Sequence, residues 1–168
     1  MRKFLPDIRT ITRLALLLAL TLAIQAFRLP TVVTGPLVNF MLILTTILTG
    51  TIGGVFVGFI TPWIALLAGI LAAPLAPAVP FIMAGNAVYC LIFGLLKKTK
   101  KGMWLAVLPA SVVKFCVIGG SASYLLELPA PLTQVLLFPQ LINALIGGAA
   151  AAAVGFYLAR ILKTASVQ

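Results

Sequence analysis

The segment from Met103 to Leu126 reads MWLAVLPASVVKFCVIGGSASYLL and contains a single charged side chain, Lys114. An apolar stretch of about 18 residues or more is long enough for an α-helix to cross a bilayer, so this segment predicts a transmembrane helix. The whole chain has the same character, because 62% of its 168 residues are hydrophobic and only 8% are charged. About a quarter of the residues are charged in soluble domains. The composition therefore excludes a soluble fold.

Further apolar blocks flank this segment, and clusters rich in proline, glycine or lysine separate them. They predict one all-α integral membrane domain over residues 1–168, with six transmembrane helices at residues 12–27, 37–48, 52–72, 81–96, 103–126 and 132–162. The last span is too long for a straight crossing, so we expect a break or bend at Pro139 or an interfacial first turn. Alternatively, the first block is a signal peptide, which leaves five spans whose flanking charges fit less well.

The basic residues predict the orientation of these spans. The chain has 12 lysines and arginines, two acidic residues and a formal net charge of +10, and basic residues concentrate in cytoplasmic loops. Six spans with both termini cytoplasmic place these basic residues on the inner side: Arg2, Lys3, Arg9, Arg13, Lys97, Lys98, Lys100, Lys101, Arg160 and Lys163. Arg28 alone falls on the outer side, and Lys114 falls within a span. The N- and C-termini are therefore predicted to be cytoplasmic.

The residues that build most catalytic and metal-binding sites are scarce. The chain has no histidine, and its two carboxylates, Asp7 and Glu127, lie far apart, so neither a metal site nor a paired acid and base is predicted. Cys90 and Cys116 lie in apolar stretches, where a thiol is usually a packing residue. The basic clusters lack interleaved aromatic residues, which argues against nucleic-acid binding. No catalytic residue, cofactor or nucleic-acid partner is predicted, and a membrane enzyme is disfavoured.

Lys114 is the one charged residue inside a predicted span. An ammonium group in hydrocarbon costs about 3 kcal/mol on insertion scales, and Lys114 lies about 16 Å from either end of its helix. That distance is too long for its side chain to reach water by snorkelling. We expect Lys114 to face a protein-lined cavity, in which an anionic ligand group is a natural partner. The alternative is a structural lysine held by backbone carbonyls or polar side chains of the bundle.

Other polar residues converge with Lys114 on helical wheels. Those of spans two, four and six lie toward the predicted outer side, so they can reach one chamber open to the exterior. The candidate substrate-binding residues are Asn39, Asn86, Tyr89, Ser111, Lys114, Ser121, Gln140 and Asn143. For each asparagine taken alone, the alternative is a hydrogen bond between helices, which contributes about 0.6 to 2 kcal/mol.

Small residues form stripes on three spans. Ala15, Ala19 and Ala23 recur at intervals of four on the first span, and intervals of four share one helix face. Span three has Gly54 and Gly58, and span six has a small-residue run that begins at Gly148. Such stripes let helices approach closely. Packing within this chain is the favoured interpretation for spans three and six, whereas the alanines of span one are equally suited to docking another protein.

The combination of six apolar helices, an AxxxA pattern in helix one, cytoplasmic ends and proline-rich outer loops resembles the substrate-binding S component of an energy-coupling factor (ECF) transporter. The resemblance covers nearly the whole chain and implies a bacterial or archaeal cell membrane. It implies that Ala15, Ala19 and Ala23 dock on the coupling helices of a separate transmembrane (T) subunit, with two cytoplasmic ATPases as further partners. It also implies a ligand site in the outer half, beneath loops 28–36, 73–80 and 127–131.

The expected function is therefore the capture of a small, anionic vitamin or vitamin-like nutrient by a membrane receptor. The sequence has no phosphate-binding loop of the GxxxxGK[ST] type, so ATP hydrolysis is expected from the partner subunits. A stand-alone secondary transporter or channel is the alternative, although proton-coupled carriers typically use intramembrane carboxylates and only Glu127 lies near the membrane. A purely structural assembly subunit is a further alternative, and it predicts that no ligand binds.

Overall fold

The structure is a computed structural model that describes residues 7–165, apart from the side chains of residues 100 and 159–165. Within that part of the chain it consists of α-helices and one short 3₁₀ helix, with no β-strand. The α-helices are α1 (Ile8–Ala26), α2 (Thr31–Thr49), α3 (Thr51–Leu67), α4 (Val79–Leu96), α5 (Lys100–Tyr124), α6 (Ala130–Leu136) and α7 (Phe138–Ala165), and the 3₁₀ helix is Ala73–Ala78. The predicted all-α class is confirmed.

Most of these helices match the requirements of a membrane span. Five helical stretches are long and apolar enough to cross a bilayer, and α3 is a further apolar helix of 17 residues, at the lower end of the spanning range. Of the basic residues that predict orientation, Arg2 and Lys3 lie outside the described residues, as do the side chains of Lys100, Arg160 and Lys163. The fold is thus a bundle of membrane-spanning helices.

The second span begins earlier than its predicted start at residue 37. α2 starts at Thr31, so Gly35 and Pro36, expected in a loop, lie inside the helix. Packing against α7 explains the difference, because a Cβ atom on Gly35 would clash with the side chain of Asn143. Glycine lets α7 come close at this point, and that tertiary contact outweighs the local turn preference of the sequence.

The third span ends earlier than its predicted end at residue 72. α3 stops at Leu67, and Gly69 follows with a φ of 67°. The N–H of Gly69 donates to the Leu66 carbonyl and that of Ile70 to the Ala65 carbonyl, at 3.0 and 2.9 Å. This pair of bonds is a Schellman motif, in which glycine takes the left-handed position that ends a helix. Residues 68–72 therefore form a loop, followed by the 3₁₀ helix.

The last predicted span consists of two helices. Leu137 separates α6 from α7 with non-helical angles, φ −91° and ψ −126°. The break lies two residues before its predicted position at Pro139, because a proline is tolerated in the first turn of a helix and α7 begins at Phe138. The 7 residues of α6 are too few to cross a bilayer, and α7 is the membrane-spanning helix.

The core lies where α2, α4, α5 and α7 meet. Leu42, Tyr89 and Phe93 are among its largest fully buried side chains. The buried threonine hydroxyls donate to the carbonyl four residues earlier in their own helices, as seen at Thr21, Thr45, Thr46 and Thr61. These hydroxyls are satisfied by the backbone and therefore need no partner from another helix or from a ligand.

The glycine stripes of the third and last spans pack inside the chain, as predicted. A Cβ atom on Gly58 would lie 3.0 Å from the carbonyl oxygen of Asn86 on α4, and one on Gly148 would lie 3.0 Å from Val107 on α5. The alanine stripe of α1 differs, because Ala15, Ala19 and Ala23 are all exposed. α1 buries only Leu17 and Thr21, so it lies at the edge of the bundle.

Candidate functional site

A cavity of about 360 Å³ lies at the end of the bundle where α1 joins α2, which we call the Arg28 end. Residues from all seven α-helices and from the loop after α3 line it. The polar lining residues are Gln25, Arg28, Thr31, Thr34, Asn39, Thr61, Asn86, Lys114 and Gln140. The apolar wall includes Val38, Pro62, Ile70, Leu71, Leu75, Ile82, Val135 and Leu136. An apolar wall with a few convergent polar groups is typical of small-molecule sites.

Lys114 forms the buried end of this cavity. Its side chain extends from α5 and the residue is only 2% exposed. The Nζ atom donates a hydrogen bond of 2.6 Å to Asn39 Oδ1 on α2, and it lies 5.1 Å from the centroid of the Tyr89 ring on α4. An amide dipole and an aromatic face both stabilise an ammonium group. Lys114 is thus held at one position, facing the cavity.

Both partners of Lys114 are fixed by the backbone. The Asn39 amide nitrogen donates to the Gly35 carbonyl at 2.8 Å, which leaves the amide oxygen directed at Lys114. The Tyr89 hydroxyl donates to the Ala144 carbonyl on α7 at 2.7 Å. Because helices α2, α4, α5 and α7 all contribute, the ammonium position is preorganised by the core of the bundle and does not depend on the loops.

Arg28 lies at the opposite, exposed end of the cavity. It follows Phe27, the C-cap of α1, and its backbone has a φ of 50°. This left-handed conformation costs a non-glycine residue about 1–2 kcal/mol. The Nη2 atom donates to the Gly69 carbonyl at 3.2 Å, so Arg28 connects the α1–α2 turn to the loop after α3.

The described charged residues that line the cavity are all positive. Lys114 and Arg28 are its two cationic residues, and no acidic residue occurs among the described residues that line it. Four side-chain amides add hydrogen-bond donors and acceptors, from Gln25, Asn39, Asn86 and Gln140. Such a lining can bind and orient a small polar anion.

The comparison with protein families decides what kind of molecule this is. The family model of the ECF transporter, substrate-specific component, matches residues 9–159. The chain belongs to this family. The match confirms the resemblance found in the sequence, whereas comparisons with curated proteins and with solved structures gave no significant match. An S component is the substrate-specific membrane subunit of its transporter, so the chain is a multi-pass membrane protein with a role in transport.

The cavity brings together half of the substrate-binding residues predicted for this S component. Asn39, Asn86, Lys114 and Gln140 all line it, although they come from α2, α4, α5 and α7. Their convergence follows from the period of the helix, because each lies on the face that its helix turns toward the bundle axis.

The other predicted residues do not line the cavity. Tyr89 supports Lys114 through its ring, and the fully buried Ser111 lies beside the Tyr89 hydroxyl. Asn143 is buried where α7 meets Gly35. The Ser121 hydroxyl donates to the Val117 carbonyl of its own helix. Tyr89, Ser111 and Asn143 thus contribute to the helix packing around the cavity, whereas Ser121 is satisfied within its own helix.

Two long polar residues at the end of α1 line the cavity without having been predicted as site residues. Gln25 and Arg28 line the cavity, whereas the charge pattern predicts for Arg28 only a position at the outer edge of the membrane. A signal for Arg28 was present, because it is the one basic residue that falls outside both the inner clusters and the spans. Its role could not be derived from helical wheels, which do not extend into a turn.

Proposed function

We propose that this S component captures a small anionic nutrient of vitamin size from outside the cell and delivers it together with a T subunit and two ATPases. The observation that carries the proposal is the cavity at the Arg28 end, whose described lining contains two cations and no carboxylate. A lining that contains two cations and no protein counter-ion among its described residues favours an anionic ligand over a neutral or cationic one.

The size of the cavity supports a small ligand. Small-molecule sites usually enclose about 300–1,000 Å³, and this cavity of about 360 Å³ lies at the low end of that range. Compact carboxylic acids such as nicotinate, pantothenate and lipoate are therefore better candidates than large conjugated vitamins.

The exposed face of α1 supports a partner. Ala15, Ala19 and Ala23 contact no other part of the bundle closely enough to be buried, and Leu16 and Leu20 beside them are 59% and 46% exposed. Methyl-sized side chains let another helix approach closely in a membrane. This alanine face is the surface on which we place the T subunit.

Delivery into the cell requires that both termini are cytoplasmic and that the Arg28 end faces the exterior. Exposed aromatic residues support membrane boundaries at both ends, with Trp63 and Tyr124 near the Arg28 end and Trp104 and Tyr157 near the other. In a Cys116→Ala background, a cysteine introduced by Glu127→Cys is expected to react with an impermeant maleimide on intact cells. One introduced by Lys98→Cys is expected to react only after permeabilisation, and the reverse pattern would contradict this orientation.

Native mass spectrometry of the tagged full-length chain, purified from the membranes of its own host, tests the proposed function. We expect one small carboxylic acid per chain and co-purified T and ATPase subunits. A chain that carries neither a small molecule nor an ATPase would contradict the proposal, and a neutral bound molecule would contradict the anionic substrate class.

A further inference from the structure

Arg28 occupies a backbone position that normally favours glycine. It is the first residue beyond the C-cap of α1, and its φ of 50° lies in the left-handed region. Helices commonly end with a glycine at this position because a side chain strains the backbone there. A strained backbone that carries a long charged side chain points to a function of that side chain.

The hydrogen bond that the structure describes for the Arg28 side chain offsets little of the energetic cost of its left-handed backbone. One N–H group of the guanidinium donates to the Gly69 carbonyl at 3.2 Å, and the bond is exposed to solvent. A guanidinium has five N–H donors, and the part of the chain that the structure describes pairs only this one. Because Arg28 also lines the cavity, its remaining donors are available at the cavity mouth.

We propose that Arg28 is a specificity residue, whose guanidinium binds a carboxylate at the outward end of the ligand while the inner end of the ligand faces Lys114 and Asn86. This inference rests on the proposed function and assigns its substrate class more narrowly. The ligands are small acids with a carboxylate at one end and hydrogen-bonding oxygens or nitrogens at the other.

The chemistry of the two cations supports this orientation. A guanidinium is planar and matches a carboxylate with two parallel hydrogen bonds, whereas an ammonium group acts as a point charge. A carboxylate at the exposed mouth keeps part of its hydration, so binding there avoids the full desolvation of an ion at the midplane. Lys114 already donates to Asn39 at 2.6 Å, and its other donors suit an oxygen of the inner end.

Calorimetric titration of the full-length protein in lipid nanodiscs tests this assignment. The probes are two pairs of an acid and its neutral analogue, namely nicotinate and nicotinamide, and pantothenate and panthenol. We expect the wild type to bind at least one acid about tenfold or more tightly than its neutral partner. Arg28→Gln should weaken binding of that acid by about tenfold or more and change binding of the neutral partner by less than about twofold.

Two further variants separate the side chain from the backbone. Arg28→Lys keeps the positive charge but loses the planar group that donates two parallel hydrogen bonds, so it should retain only part of the preference for the acid. Arg28→Gly relieves the left-handed backbone, so it should fold at least as well as the wild type and still lose the preference. Arg13→Gln is the matched control, because Arg13 is exposed on α1 and does not line this cavity, and it should leave both affinities unchanged.

The outcomes distinguish this inference from the proposed function. An acid preference that survives Arg28→Gln or Arg28→Gly would overturn the role of Arg28 and leave the proposed function standing. Equal weakening of the acid and its neutral partner would show that Arg28 only shapes the loop. If the wild type binds none of the four probes, the narrower substrate class fails and the inference fails with it. If it binds the neutral partners as well as the acids, the anionic substrate class of the proposed function fails too.

Discussion

Lys114 is a buried cation that is stabilised by polar and aromatic neighbours. The residue is 2% exposed, and its ammonium group relies on Asn39 and the Tyr89 ring rather than on a carboxylate. It was predictable that Lys114 faces a cavity inside the bundle, because a charge in the middle of an apolar span is costly when it faces lipid. The identity of its partners was not, because the wheel angles of α2 and α4 do not specify how these helices are offset along the bundle axis.

Replacing Lys114 tests its role in binding. We expect Lys114→Ala to weaken binding of nicotinate, pantothenate or lipoate, whichever the wild type binds, by about tenfold or more. The variant should still insert and fold, because removing a buried cation also removes its desolvation cost. Binding is measured by calorimetry in nanodiscs and folding by thermal melting. The exposed lysine variant Lys101→Ala serves as the control, and an unchanged affinity in Lys114→Ala would show that the lysine is structural.

At the scale of the element, small-residue stripes with the same spacing serve different purposes. Gly54 and Gly58 on α3 are buried against neighbouring helices, whereas Ala15, Ala19 and Ala23 on α1 face outward. Spacing alone predicts that one face of a helix is small. It does not predict whether that face meets a helix of the same chain, because this depends on where the helix lies in the bundle.

Gly147 tests the contact between α2 and α7. A Cβ atom there would clash with the Pro36 carbonyl and lie 2.7 Å from Asn39 Cβ and from the backbone nitrogen of Phe40. We expect Gly147→Ala to destabilise the protein by about 1–3 kcal/mol and to weaken ligand binding, because it displaces Asn39. In the control Gly120→Ala a new Cβ would meet nothing within 4 Å, so this variant should be neutral or slightly stabilising. Equal melting temperatures for the two variants would contradict close packing at Gly147.

Bulky residues on the alanine face of α1 test the docking of the T subunit. We expect Ala19→Leu to reduce ATP-dependent uptake by about tenfold or more, because an added isobutyl group keeps a partner helix at a distance. Ligand binding by the isolated S component should not change. Ala150→Leu is the matched control, since Ala150 is also exposed but lies on α7. If Ala19→Leu lowers binding and uptake equally, these alanines pack the bundle instead of docking a partner.

The positions at which the helices begin and end show where the local sequence no longer predicts the structure. The break at Leu137 and the end of α3 at Leu67, before the left-handed Gly69, have local causes in proline and glycine chemistry. The early start of α2 at Thr31 has a tertiary cause, since Gly35 is needed where α7 approaches. At Gly35 and Pro36, the packing of α7 on α2 therefore outweighs the local preference for a turn.

At the scale of the whole molecule, hydropathy predicted the architecture better than it predicted the site. The bundle of apolar helices follows from the bilayer, which permits few alternatives to helices in this composition. The cavity follows from how helices of different lengths meet at the Arg28 end, together with the turn at Arg28 and the loop after α3. The volume of the cavity and its second cation therefore do not follow from hydropathy, even though Lys114 alone is enough to suggest that a cavity exists.

Transport measured in proteoliposomes tests the central claim most directly. The probe is the radiolabelled acid, among nicotinate, pantothenate and lipoate, that the purified chain binds. With the chain alone, we predict saturable binding of no more than one molecule per chain and no accumulation under an ion gradient. With the T subunit, the ATPases and ATP inside the liposomes, the probe should accumulate in the lumen. Sustained, gradient-driven accumulation by the chain alone would contradict the account and identify a stand-alone transporter.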